Sequence, residues 1–545
     1  MIFCFEKQIN MKIELLDCTL RDGAYIVDSN FGAASMKGII KHLQDASVDI
    51  IEVGWLKDKP HQEGSSFYHV PADAEQYILQ KNPNSLYVAM IDWNRYDDSV
   101  LPLYDGKSID AVRVVFPHGK HKEGIEIGMR IREKGYIVMF QAANTLAYTN
   151  DDLIELATEM NKINPASLSV VDTFGAMYEE DLERIVTCLD AHLNKDIKMG
   201  IHTHNNQQMA FALSLCFIRL MKKFGRNMMV DASLCGMGRG AGNATTELIA
   251  NYLNKKCDCH YNVDAIMDAI DVYMGYYQEN FEWGYSTPYC IAGMYCCHVN
   301  NIAYLLKNHR TSSKDMRLII ESLSPEDRKK YDYDLLEEKY IENQSRYVDD
   351  ENAVEKLKKD LSGKNILLVA PGKSSVNDKA KIQEYININR PVIIGINAVV
   401  PGYKYDYLFF VNPARYEYAR TSYPELFKTT SKIVLSNIKN TADNGETIIG
   451  FNNVIKRGWT HFDNAAISAF RLMDKMGVTN VSIAGFDGFQ HKYNESYADV
   501  YLPSLNPDNK WDELNKEIAE MFADFKKNAT ACKNIYFITE SLFNK

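Results

Sequence analysis

No stretch of this 545-residue chain approaches the roughly 20 consecutive apolar residues that span a bilayer. Its first residues, MIFCFEKQIN, lack the basic segment and long apolar run of a secretion signal. No membrane span is therefore expected, and a cytoplasmic location follows. Long runs of Lys and Arg are also missing: 72 acidic against 61 basic residues leave a net charge of -11. Nucleic-acid binding needs a concentrated basic surface, so that partner class is excluded and a small molecule is the expected ligand. The 11 cysteines include no C-x-x-C pair, which argues against a structural zinc site. An odd number of thiols without a signal fits reduced cysteines packed as small apolar groups. Neither G-x-G-x-x-G nor the P-loop pattern occurs, so dinucleotide binding and NTP hydrolysis have no support. What remains is ordinary for a globular chain, 46% hydrophobic and 24% charged, and too long for a single core.

From Lys12 to about Leu234, short β-rich segments alternate with helical patterns, as parallel βα units do. Eight strands are predicted: Ile13 to Thr19, Ile50 to Trp55, Leu86 to Asp92, Ala111 to Phe116, Tyr136 to Ala142, Leu168 to Asp172, Lys198 to His202 and Met228 to Ala232. Runs such as VRVVF and YIVMFQ are apolar throughout, which suits strands buried on both faces. Eight units in this length predict a (β/α)8 TIM barrel over 1–262. A Tyr- and Met-rich helical extension follows over 263–345, then a charged linker or exposed helix over 346–363. Beyond it, NILLVAPGKS, PVIIGINAVV, DYLFFVN, KIVLSN and NVSIAGFDGF predict a Rossmann-like, doubly wound α/β domain over 364–545.

In such a barrel, side chains just past the carboxyl ends of the strands converge on one mouth. LRDGAY after the first strand places Arg21, Asp22 and Tyr25 there, and the seventh strand ends in HTHNN. His202 and His204 are two apart, so the alternation of a strand turns both imidazoles to one side. One carboxylate and two imidazoles suit a divalent ion, Mn²⁺ or Mg²⁺ first, with Zn²⁺ or Co²⁺ as alternatives. Asp172 and Thr173 end the sixth strand in VVDTFG, where they would orient substrate or cap a loop.

LLDCTLRDGAY, GIHTHNN and DASLCGMGRGAGNATTEL together resemble the DRE-TIM metallolyase superfamily, which includes hydroxymethylglutaryl-CoA lyases and isopropylmalate synthases; the 4-hydroxy-2-oxovalerate aldolase branch is the nearest likeness, over about residues 12 to 310. The resemblance implies Arg21, Asp22 and Glu52 as the name-giving triad. It implies Asp22, His202 and His204 as metal ligands, with Asn243 near or at the metal. A 2-oxo acid would chelate the ion, and Arg21 would share the charge of the enolate formed when the adjacent bond breaks. The family's base is a histidine three residues after the motif aspartate, where this chain has Tyr25; an unperturbed tyrosine is a poor base at neutral pH. His118, just past the fourth strand, is the histidine to examine as a substitute, while His298 in CCHVNN resembles an H-P-N segment of related aldolases, with Val299 in place of the proline. The expected reaction is the making or cleaving of a 4-hydroxy-2-oxo acid from pyruvate and an aldehyde, in unusual-sugar or surface-glycan synthesis, by a homo-oligomer.

The second domain resembles, more loosely, the Rossmann-like domains of bacterial sialyltransferase-type and surface-glycan proteins. There Gly372, Ser374, Asn397 and Asn412 are the places to seek a nucleotide or nucleotide-sugar. Two other function classes compete with the aldolase: a Claisen-type acyl-CoA synthase, and a nucleotide-sugar transferase or binding protein that uses the barrel as scaffold.

Overall fold

The computed structural model describes residues 11–309, 311–439, 445–490, 496–503 and 510–544. Nine strands form the first sheet: β1 (Ile13–Asp17), β2 (Ile50–Leu56), β3 (Phe67–Tyr68), β4 (Leu86–Asp92), β5 (Ala111–Phe116), β6 (Ile137–Ala142), β7 (Ser167–Asp172), β8 (Lys198–Thr203) and β9 (Met228–Ala232). Their order is β1-β9-β8-β7-β6-β5-β4-β2-β3, and β1 also pairs with β2, so eight strands close on themselves. Every pairing is parallel, as Leu16 opposite Ile50 and Leu16 opposite Asp231 illustrate. The short β3 is added outside the closure, against Trp55 and Leu56. The TIM barrel expected from the eight apolar runs is present, with strand ends shifted by one or two residues. Opening and closing signals are local. Thr149 and Asp152 form a reciprocal capping box at the start of helix Asn150–Ile163, and Gly225 in the left-handed region closes helix Ala210–Phe224.

The described residues cluster as two compact units. The first runs to Val299 and takes in Arg328–Lys330; the second is Asn300–Asp327 with the chain from Tyr331 onward. The dividing point thus falls inside the stretch read as a helical extension. The second unit carries a parallel sheet of β10 (Ile366–Val369), β11 (Val392–Ile396), β12 (Tyr407–Phe410), β13 (Ser431–Leu435), β14 (Thr447–Ile449), β15 (Asn480–Ala484) and β16 (Asn534–Phe537). The order β14-β13-β12-β11-β10-β15-β16 runs outward from β10 in both directions, which makes the sheet doubly wound. Edge strands β14 and β16 are additions to the five predicted strands. The stretch 346–363 carries helix Glu351–Leu361, whose Leu357 and Leu361 are buried. All cysteines among the described residues are free thiols, and no helix there is long and apolar enough to cross a membrane.

Candidate metal centre and barrel mouth

Asp17 turns the chain at the end of β1 by accepting from the Thr19 N–H, and a single helical turn, Thr19–Asp22, places Arg21 and Asp22 over the carboxyl end of the barrel. His202 is on β8 and His204 immediately follows it. One ligand atom from each of Asp22, His202 and His204 lies within 4.8 Å of the others. Both rings are fixed from behind. His202 Nδ1 is 3.0 Å from Asp231 Oδ2 and His204 Nδ1 is 3.1 Å from the Asp172 carbonyl. Those oxygens can only accept, so each Nδ1 carries the proton and each Nε2 keeps a lone pair. Both Nε2 atoms are buried and make no hydrogen bond among the described residues, that of His204 lying 3.5 Å from Asp22 Oδ2. Burial pushes the His202 imidazole below its ordinary pKa, which keeps it neutral.

The carboxylate side is equally constrained. Burial alone would raise Asp22, but the adjacent Arg21 guanidinium opposes it most strongly, and the carboxyl is held well below the usual range. Arg21 Nη1 donates to Asp22 Oδ1 at 2.6 Å and Arg21 Nε to Glu52 Oε2 at 2.7 Å. Arg113, fully buried on β5, lies 3.1 Å from Glu52 Oε1 and donates to Asp231 Oδ2 at 2.5 Å. The contacts thus run Asp22, Arg21, Glu52, Arg113, Asp231, His202 and back to the mouth. Three carboxylates and two guanidinium groups leave this buried circuit one positive charge short. A buried net charge is costly unless compensated. Two lone pairs, one carboxylate and a charge deficit at the same point fit a divalent cation. The sequence reading had named Arg21, Asp22, Glu52, His202 and His204 but missed Arg113 and Asp231. Their signal was faint: one charged residue each in the apolar runs VRVVF and MMVDA.

Asn243 sits at the centre. Its Nδ2 donates to Asp22 Oδ2 at 2.7 Å, while its Oδ1 is buried with no partner among the described residues. It is held there by the glycine-rich loop. Asn243 bridges His204 in an isolated antiparallel pair, and Asn206 Oδ1 accepts from the Ala241 N–H. Two glycines are sterically required. A Cβ on Gly238 would lie 2.3 Å from Asn243 Nδ2 and 2.6 Å from Asp22 Oδ2, and one on Gly242 would lie 2.0 Å from the Gly236 carbonyl oxygen. Asp172 is buried beside the site, and burial pushes its carboxyl up to about 6; Oδ1 accepts from the Ala176 and Met177 N–H groups, while Oδ2 has no partner among the described residues. Thr173 Oγ1 accepts from the Asn144 N–H, which is a loop bond.

At the rim, the Tyr25 ring is 49% exposed, edge-on to Trp55 at 6.1 Å. The protein crowded about it nevertheless raises its pKa, against the opposing pull of Arg239; exposed or crowded, it is a neutral phenol at pH 7. Arg239 lies 4.8 Å from the Tyr25 ring centroid and 2.9 Å from His298 Nε2. Burial, with Arg239 and Arg95, pushes His298 down to about 3. His118 is elsewhere, 42% exposed, 3.2 Å from Asp152 and against the Tyr148 ring. In the second unit, Gly372, Asn397 and Asn412 line one pocket; Ser374 is not on its lining and instead donates to Asp487 and Thr539.

Residues 119–272 match the family model described as HMGL-like. Among curated proteins, the chain is 26% identical over 277 residues to 4-hydroxy-2-oxovalerate aldolase 2 of Salinispora arenicola, covering 48% of this chain and 75% of that one. It is 26% identical over 263 residues to the oxaloacetate decarboxylase of Mycobacterium tuberculosis, covering 47% and 74%. Among solved structures, the HMG-CoA lyase of Brucella melitensis superposes with a TM-score of 0.39 at 15% identity, over 49% of this chain and 99% of that one.

Proposed function

We propose, from the premise that this barrel is an HMGL-like domain of the DRE-TIM kind, that it is a divalent-metal-dependent carbon–carbon lyase making or cleaving a 4-hydroxy-2-oxo acid through the enolate of pyruvate. One observation carries the reading: two imidazole lone pairs and one carboxylate meet in a buried charge circuit that lacks one positive charge. Asp22, His202 and His204 would hold the ion, with Asn243 Oδ1 beside them; Mn²⁺ or Mg²⁺ is the assignment for a site with oxygen donors. When bound, the ion supplies a Lewis acid for the carboxylate and 2-oxo oxygens of the substrate. The chain's own groups do the rest. Arg21 has an uncommitted, buried Nη2 to donate to an oxyanion, and Glu52 and Asp22 fix its plane. Tyr25, a neutral phenol, can donate to an aldehyde or hydroxyl oxygen at the rim.

Aldol cleavage also needs a base for the hydroxyl proton, and neither rim residue, Tyr25 or His298, supplies one. Tyr25 is held too high to accept a proton at pH 7, and His298 is pushed too low to bind one firmly. That favours a second reading of the same centre, the decarboxylation of oxaloacetate, which forms the same enolate without taking a proton from the substrate. Pyruvate release measured side by side from 4-hydroxy-2-oxopentanoate and oxaloacetate, each with Mn²⁺, separates the two. The aldolase reading expects pyruvate and acetaldehyde from the hydroxy acid. Pyruvate from oxaloacetate alone assigns the decarboxylase, and pyruvate from neither overturns both.

A further inference from the structure

The second sheet reverses its direction of growth at β10, the position in doubly wound sheets where ligands bind beyond the strand ends. A pocket lies there, lined by residues that follow β10, β11, β12 and β15 and by the start of helix Ala465–Lys475. Three asparagines on its wall are oriented alike. Asn397 Oδ1 accepts from the Val411 and Asn412 N–H groups, Asn412 Oδ1 from Arg415 N–H, and Asn464 Oδ1 from the Ala466 and Ile467 N–H groups. These backbone donors fix each carboxamide's orientation, so the amide face left over is the Nδ2 donor pair. None of the three Nδ2 groups has an acceptor among the described residues.

Arg415 completes the set. It is only 5% exposed, its Nε donates to the Pro503 carbonyl, and its guanidinium lies 4.6 Å from the Tyr497 ring centroid. Its two terminal nitrogens have no acceptor among the described residues. A buried fork and three carboxamide Nδ2 groups without acceptors among the described residues call for an anion rich in acceptor oxygens. Asn412 and Asn464 also cap the helices Pro413–Ser422 and Ala465–Lys475, whose positive ends therefore start at the pocket. The remaining lining is different in kind. The rings of Phe489 and Tyr497 offer flat apolar surface, and two carboxylates, Asp463 and Asp487, the latter already accepting from the Ser374 N–H, suit sugar hydroxyls better than a second phosphate.

We propose that this pocket binds a nucleoside phosphate, its phosphate held by the Arg415 fork and the Asn397, Asn412 and Asn464 carboxamides. The site is independent of the barrel chemistry. Isothermal titration of the full chain with CMP, UMP, UDP, ADP, GDP and inorganic pyrophosphate tests it. At least one nucleotide should bind, more weakly as salt is raised. Arg415→Met should weaken that binding about tenfold or more, and Arg415→Lys, which keeps the charge but loses the fork, by less. Hydrogen exchange of the wild-type chain should show nucleotide-dependent protection at 411–415 and 464–467, a readout that survives if Arg415→Met fails to fold. No nucleotide binding, or protection confined to the barrel, overturns the proposal. Pyrophosphate binding as tightly as every nucleotide overturns the nucleoside assignment, and an unchanged affinity in a folded Arg415→Met overturns the role of the fork.

Discussion

Residue by residue, the candidate centre depends as much on a group that is missing as on those present. Gly238 lacks the methyl that would lie within 2.6 Å of both Asn243 Nδ2 and Asp22 Oδ2. Gly238→Ala should therefore displace two groups at the ion without removing a ligand. We expect its Mn²⁺ affinity, measured by isothermal titration, to fall by about 10- to 100-fold, the scale on which groups supporting metal ligands act. Affinity equal to the wild type would show that Asn243 and Asp22 need not stay where they are. Asp22, His202 and His204 were legible in the sequence because strand alternation acts over two residues and LRDGAY follows the first strand directly. Arg239 and His298 were not brought together by any local rule: their contact spans 59 residues and depends on how the glycine-rich loop folds.

The strands carry the next level of organisation. The barrel was readable because apolar runs of five to seven residues, repeated eight times, leave few other architectures. The charges inside it were not. Arg113 meets Asp231 across 118 residues, from β5 to β9, and in a run of buried strand residues nothing local says which partner a lone arginine will find. The circuit predicts a large effect: Arg113→Met leaves Glu52 and Asp231 buried without their shared cation, and should destabilise the barrel by about 3–5 kcal/mol in urea titration. A loss below about 1 kcal/mol would mean the circuit is not coupled.

Asp17, at the end of β1, makes a pH-dependent prediction. Burial pushes its carboxyl up to about 6, although Thr246 Oγ1 and the Thr19 N–H both donate to it. The folded state therefore holds the proton more tightly than the unfolded chain. The stability this contributes is fully present below about pH 4 and is lost as the pH rises through about 6. The stability of the wild type relative to Asp17→Asn should grow, by at most about 3 kcal/mol, as urea titrations move from pH 7 to pH 4. A difference that shrinks over that interval would reverse the sign and contradict the burial argument.

At the scale of the whole molecule, the chain divides into a closed barrel and a doubly wound sheet, both expected from the sequence as fold classes. Their dividing point was less legible. Amphipathic helices such as those around Val299 can face either of two neighbours, and sequence period alone does not say which. The second sheet's edge strands β14 and β16 are three and four residues long, too short to show a pattern. Gly372, Asn397 and Asn412 of its pocket were named from the sequence, but Arg415 and Asn464 were not, because their place beside them depends on how turns far apart in the chain fold together.

The central claim is that Asp22, His202 and His204 hold a divalent ion at which pyruvate is enolised. Proton NMR of pyruvate in D₂O tests it most directly, with the chain stripped of metal, restored with Mn²⁺ and relaxed through a washout before acquisition, and in a His202→Ala variant treated identically. The account predicts loss of the C3 proton signal with the Mn²⁺-restored wild type alone, and little beyond the uncatalysed rate in the other two. Exchange that is equally fast in the stripped chain or in His202→Ala would contradict it.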